Sequence, residues 1–128
     1  MLAKATEVNM KKIMIVDDDR EFLEEMTEIF DMCGYEVLPV LDSYNVMAEA
    51  KAKHPEVIIL DLKMRGLSGF EVAKMLRNDP STSSISLIAI TGYFKESSYM
   101  PKIVKYGFNK CLIKPFHPLE AINAVESA

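Results

Sequence analysis

The sequence predicts an α/β domain, a doubly wound five-stranded parallel sheet with helices on both faces. Three observations predict it. Short apolar runs alternate five times with segments of helical periodicity along 128 residues, a pattern that builds a parallel sheet through right-handed crossovers. The runs are unbroken and rich in β-branched residues, Val57–Leu60 (VIIL) above all, as strands covered on both faces are. Four of them end in polar residues: Asp17-Asp18, Asp61, Thr91 and Lys114. In open parallel sheets that edge is where ligands bind.

Taken in order, residues 1–10 form a patternless leader, in which Met10 is an alternative start, and residues 11–128 form the domain. Ile13–Val16 is the first strand and runs into Asp17, Asp18 and Asp19. Asp19 caps a helix whose Phe22, Leu23, Met26, Ile29, Phe30 and Cys33 recur at helical spacing. Glu21, Glu24, Glu25 and Glu28 form its solvated face, and Gly34 stops it. Glu36–Val40 is the second strand. Ser43 is expected to cap a helix running to about Lys53, with Pro55 preventing its continuation. After the third strand, Gly66 and Gly69 mark a loop, and Gly69–Asn78 is a helix with Phe70, Ala73 and Leu76 on one face. Ser81–Ser84 reads as a loop and Ile85–Ile90 as the fourth strand. The next helix begins near Ser98, since Pro101 is tolerated only in a first turn. Cys111–Ile113 is the fifth strand, and Pro118 opens the last helix, with Leu119, Ile122 and Val125 inward.

The length suits one domain with one real core. Composition is that of a globular protein, 49% hydrophobic and 27% charged. A net charge of −4 argues against direct binding of nucleic acid, which needs a basic face. Cys33 and Cys111 lack metal-ligand spacing and fall in apolar patterns, so free thiols in a reducing compartment are expected rather than a disulfide. There is no apolar stretch of membrane-spanning length and no signal core in the leader. The expected location is cytoplasmic.

The expected strand order is 2-1-3-4-5, the flavodoxin-like arrangement. That order brings Asp17, Asp18, Asp61, Thr91 and Lys114 to one rim. Carboxylates crowded together repel, and without a partner one of them holds a proton. A hard divalent cation removes the conflict, and oxygen-only ligands favour Mg²⁺. Bound Mg²⁺ also polarises a phosphoryl group. Lys114 suits a phosphate oxygen, and the Thr91 hydroxyl can donate to the same group. Aspartate can act as a nucleophile toward phosphorus. Asp61, alone on the middle strand, is the candidate acceptor, and the adjacent Asp17 and Asp18 are better placed to hold metal. Each residue singly also fits a plainer role: a surface lysine, a strand-end hydroxyl, a helix-capping acid run.

Four blocks, IMIVDDD, VIILDLKMRGLSG, LIAITG and CLIKPF, resemble in order and spacing the signature blocks of response-regulator receiver domains. The resemblance covers Lys11 to Ala128. It implies that Asp61 is the phosphoacceptor. It further implies that Asp18 binds Mg²⁺ directly, Asp17 mostly through water, and that the Lys63 backbone carbonyl adds a ligand. Thr91 matches the switch hydroxyl and Lys114 the phosphate-binding lysine, with a cis Lys114–Pro115 bond. The implied phosphodonor is a histidine kinase or a histidine phosphotransfer domain. The implied readout is the surface of the fourth helix, fifth strand and last helix, in a monomer or a phosphorylation-dependent dimer. Lys63 and Tyr93, at the family positions flanking the phosphoryl group, are expected to shield it from water.

Three positions depart from the family pattern: Arg65 where proline is usual, Cys111 where an aromatic is usual, and His117 where aspartate often caps the last helix. Two rivals remain. A haloacid-dehalogenase-like phosphohydrolase needs an acid where Lys63 stands. A degenerate receiver would act as a phosphorylation-independent docking module, although the family site positions are all present. The residues after Lys114 read as one last helix. The leader favours a stand-alone regulator over a piece of a longer protein.

Overall fold

A computed structural model of the chain describes residues 11–92 and 100–128. The leader, Ser98 and Tyr93 therefore lie outside the described residues. The elements are β1 (Lys12–Val16), α1 (Arg20–Met32), β2 (Glu36–Val40), a 3₁₀ turn (Ser43–Asn45), α2 (Val46–Lys53), β3 (Val57–Asp61), α3 (Gly69–Arg77), β4 (Ser86–Thr91), α4 (Met100–Lys105), β5 (Lys110–Ile113) and α5 (Pro118–Glu126). The sheet is parallel throughout, in the order β2-β1-β3-β4-β5. The doubly wound, flavodoxin-like architecture expected from the sequence is the one observed.

The pleat sorts the strand residues into two cores. Met14, Val16, Ile58, Leu60, Leu87 and Ala89 face α2, α3 and α4 through Val46, Ala50, Val72, Ala73, Leu76 and Ile103. Ile13, Ile15, Val57, Ile59, Ile88 and Ile90 face α1 and α5 through Leu23, Met26, Phe30, Ala121, Ala124 and Val125. Both faces of β1, β3 and β4 are thus dry, which is why these strands read as continuous apolar runs.

Strand and helix boundaries differ from the sequence reading by a residue or two, and two local expectations are corrected. The turn before α2 is capped by Asp42, whose Oδ1 accepts from Tyr44 N–H at 2.9 Å. Ser43 is instead buried, its hydroxyl donating to the Arg65 carbonyl (3.2 Å) and accepting from Leu67 N–H (2.8 Å). Leu119 is 58% exposed, and the buried stripe of α5 is Ala121, Ala124 and Val125. In α3, Val72 joins Ala73 and Leu76 in the core while Phe70 is only half-buried. His117 does cap α5: its Nδ1 accepts from Leu119 N–H at 3.0 Å, and Glu120 closes the box on His117 N–H.

Candidate functional site

The register of the sheet assembles the site. Val16 pairs with Leu60, so Asp17 and Asp61 leave adjacent strands side by side. Asp61 pairs with Ile90, which puts Thr91 one step beyond it on β4. Thr91 pairs with Ile113, and Lys114 N–H donates to the Thr91 carbonyl at 2.7 Å. The Lys114–Pro115 bond is cis. Asp17, Asp18, Asp61, Thr91 and Lys114 are therefore brought to one rim, as the strand order requires. Asp17, Asp61 and Thr91 are all buried.

Asp17 is held from two sides. Its Oδ1 accepts from Asp19 N–H at 2.9 Å, and its Oδ2 pairs with Lys114 Nζ at 2.8 Å. The same ammonium sits 4.0 Å from the centre of the Phe22 ring, a cation–π seat on α1. Asp61 Oδ1 accepts from Lys63 N–H at 3.2 Å. Oxygens of Asp17, Asp18 and Asp61 lie within 4.8 Å of one another. Burial and the Asp17 charge push the Asp61 carboxyl up to about 7, against the opposing pull of Lys63 N–H and Lys114. Three carboxylate oxygens converging at that spacing suit a hard cation with oxygen ligands, and Mg²⁺ fits the donor set.

The loop from β3 to α3 takes its shape without the proline expected at position 65. Gly66 adopts φ +81, and a Cβ there would lie 2.8 Å from both Ser43 Oγ and the Tyr44 ring. Gly69 passes so near β3 that a Cβ would overlap the Asp61 carbonyl and come within 2.7 Å of Leu62 Cα. Ser43 pins the turn at Gly66 by bonding Arg65 and Leu67 on either side of it. Arg65 thereby directs its N–H at Asp18 Oδ2 (2.9 Å), with Nε 3.4 Å from the same oxygen. Sequence reasoning missed the parts played by Phe22, Ser43 and Arg65. Only Arg65 carried a signal, as a departure from the usual residue.

Cys111 is half-buried and packs against the α2–α3–α4 core, and burial raises its thiol pKa. It is a small core residue, and neither it nor Cys33 is in a disulfide. Among the described residues, no helix is long and apolar enough to cross a membrane.

The family model described as "Response regulator receiver domain" matches residues 13–126. The phosphate regulon transcriptional regulatory protein PhoB of Pseudomonas aeruginosa is 31% identical over 112 residues, covering 88% of this chain and 48% of that protein. Protein PilH of the same organism is 31% identical over 119 residues, covering 91% of this chain and 98% of PilH. The chain thus spans about half the length of the first relative and nearly all of the second. The solved structure of Vibrio cholerae chemotaxis protein CheY4 superposes with a TM-score of 0.87 at 24% identity, covering 92% of this chain and 98% of that one. The fold, the acidic rim and the match over almost the whole described chain have one reading: the chain belongs to the response regulator receiver domain family, whose members are phosphoacceptor signalling modules rather than enzymes of metabolism.

Proposed function

We propose that Asp61 accepts a phosphoryl group from phosphohistidine, with Mg²⁺ held by Asp17, Asp18, Asp61 and the Lys63 carbonyl. The observation that carries this reading is the buried Asp61 carboxylate, standing alone on β3 beside the Asp17–Asp18 pair and within the field of Lys114. When bound, the cation offsets the crowded negative charge and polarises the phosphoryl oxygens. Asp61 in its ionised form attacks phosphorus. The new O–P bond forms as the P–N bond breaks, and the imidazole leaves with the electron pair. Asp61 needs no general base. Lys114, seated between Asp17 and Phe22, swings its ammonium to a phosphoryl oxygen. The Thr91 hydroxyl donates to another.

Phosphorylation shifts a two-state equilibrium by giving Lys114 and Thr91 a new partner. The readout face is α4, β5 and α5, on which Met100, Val104, Ile113 and Leu119 are exposed. Cys111 buries too little area to act as an aromatic lever. Tyr106 and Phe108, whose rings lie 5.9 and 6.1 Å from that of Phe70, take that part. The phosphodonor is a histidine kinase or a histidine phosphotransfer domain in the cytoplasm, and the domain acts as a monomer or as a phosphorylation-dependent dimer. Hydrolysis of phosphoaspartate returns it to rest.

The test is intact-mass analysis after incubation with acetyl phosphate and Mg²⁺. Wild type gains one phosphate, and both Asp61→Asn and chelation of the metal abolish the gain. A phosphate retained by Asp61→Asn would sink the assignment.

A further inference from the structure

We propose that Arg65 is a latch on Asp18: it holds this carboxylate in the metal-free domain and must release it for a divalent cation to bind, so Arg65 sets the metal affinity of the site. The inference rests on the reading of Asp18 as a metal ligand. The three acids are held differently. Asp17 is tied by Lys114 and by Asp19 N–H, and Asp61 by Lys63 N–H. Asp18 accepts from Arg65 through the backbone N–H and the guanidinium, both to Oδ2.

The two contacts differ in what they can do. The backbone donor is fixed, because Ser43 and Gly66 brace the loop that carries it. It orients the carboxylate and leaves Oδ1 available. The guanidinium is movable, since the Arg65 side chain is 87% exposed while Asp18 is 25% exposed. It is also permanently charged. A positive charge at 3.4 Å from Oδ2 of this carboxylate opposes a dication arriving at it until the guanidinium swings away. The cleft alongside offers it a second carboxylate, Asp42, which shares that lining with Asp18 and Arg65. A proline at this position would supply neither contact.

The experiment is calorimetric titration of Mg²⁺ into wild type, Arg65→Gln and Arg65→Lys, at low salt and at about 0.5 M KCl. Glutamine keeps the backbone N–H and removes the charge. At low salt Arg65→Gln is expected to bind Mg²⁺ about three- to fivefold more tightly than wild type, the range for an exposed ion pair. Arg65→Lys falls between them. The gap closes at high salt, because an exposed guanidinium is screened. The Arg65 Nε–H resonance of wild type also moves on saturation with Mg²⁺, a response that a purely structural arginine would not give. Binding by Arg65→Gln that equals or is weaker than wild type overturns the latch and leaves the metal site standing. Absence of Mg²⁺ binding in both wild type and Arg65→Gln overturns the metal site and the latch with it.

Discussion

At the amino-terminal end of the sheet, charge is matched to fixed dipoles; at the carboxyl end, like charges are set against one another. Arg77, the last residue of α3, donates through Nη1 to the carbonyls of Ser83 and Ile85 at 2.7 Å and through Nη2 to the Gly107 carbonyl. It thereby ties the approaches to β4 and β5 to one helix end. Burial lowers its pKa from the ordinary arginine value, yet a guanidinium stays charged near neutrality. Nearby, Lys12 N–H donates to Glu56 Oε1 at 3.1 Å and Lys12 Nζ to the Lys53 carbonyl at 2.8 Å. The opposite rim holds Asp17, Asp18 and Asp61 together with Lys114 already committed to Asp17. The difference teaches where to look for function. Polar groups that satisfy one another stabilise a fold. Groups that the fold forces into conflict at a ligand-binding edge are kept for what relieves the conflict.

The largest effect expected from breaking this contrast is at Asp61. Its folded pKa of about 7 lies above the unfolded value near 3.8, so the native state holds a proton that the unfolded chain has released. Stability of the metal-free protein therefore falls as pH rises from about 4 to about 7. Asp61→Asn removes the penalty. Denaturant unfolding without metal should show the variant more stable than wild type above pH 7, by up to about 4 kcal/mol. The gain should shrink toward zero near pH 4. A variant no more stable than wild type at pH 8 would mean the rim is not in conflict.

A smaller and opposite effect is expected at the other end. Arg77→Ala leaves three carbonyls without their charged donor and should cost about 2–3 kcal/mol by the same measurement, with little dependence on pH between 5 and 8. Lysine is a poor substitute, because a single ammonium lacks the planar fork that reaches both turns. A cost below about 0.5 kcal/mol would show that the amino-terminal end is held by other contacts.

The contrast also explains what could be read from the chain beforehand. The strands were legible because sheets covered on both faces need unbroken apolar runs. Asp17, Asp61, Thr91 and Lys114 were legible because each terminates such a run, and the strand order then brings the ends together. The partners that tune the site were not. Arg65 reaches Asp18 across 47 residues, and no local pattern encodes such a meeting. Ser43 was read as a cap because serine often is one. Asp42 beside it took the cap, and the loop carrying Arg65 took the serine. Helical spacing places Leu119 inward, but the stripe that α5 buries is Ala121, Ala124 and Val125. The buried Thr82, whose hydroxyl donates to the Leu76 carbonyl at 2.7 Å, lay hidden in a run that reads as a polar loop.

The most direct test of the crowded rim is a ¹³C-detected pH titration of the Asp61 side-chain carboxyl, with and without Mg²⁺. In metal-free protein the transition should have its midpoint at about 7. Saturating Mg²⁺ should move that midpoint down by more than about one unit, since the cation favours the ionised form. A metal-free midpoint near the ordinary 3.8, unmoved by Mg²⁺, would contradict the account.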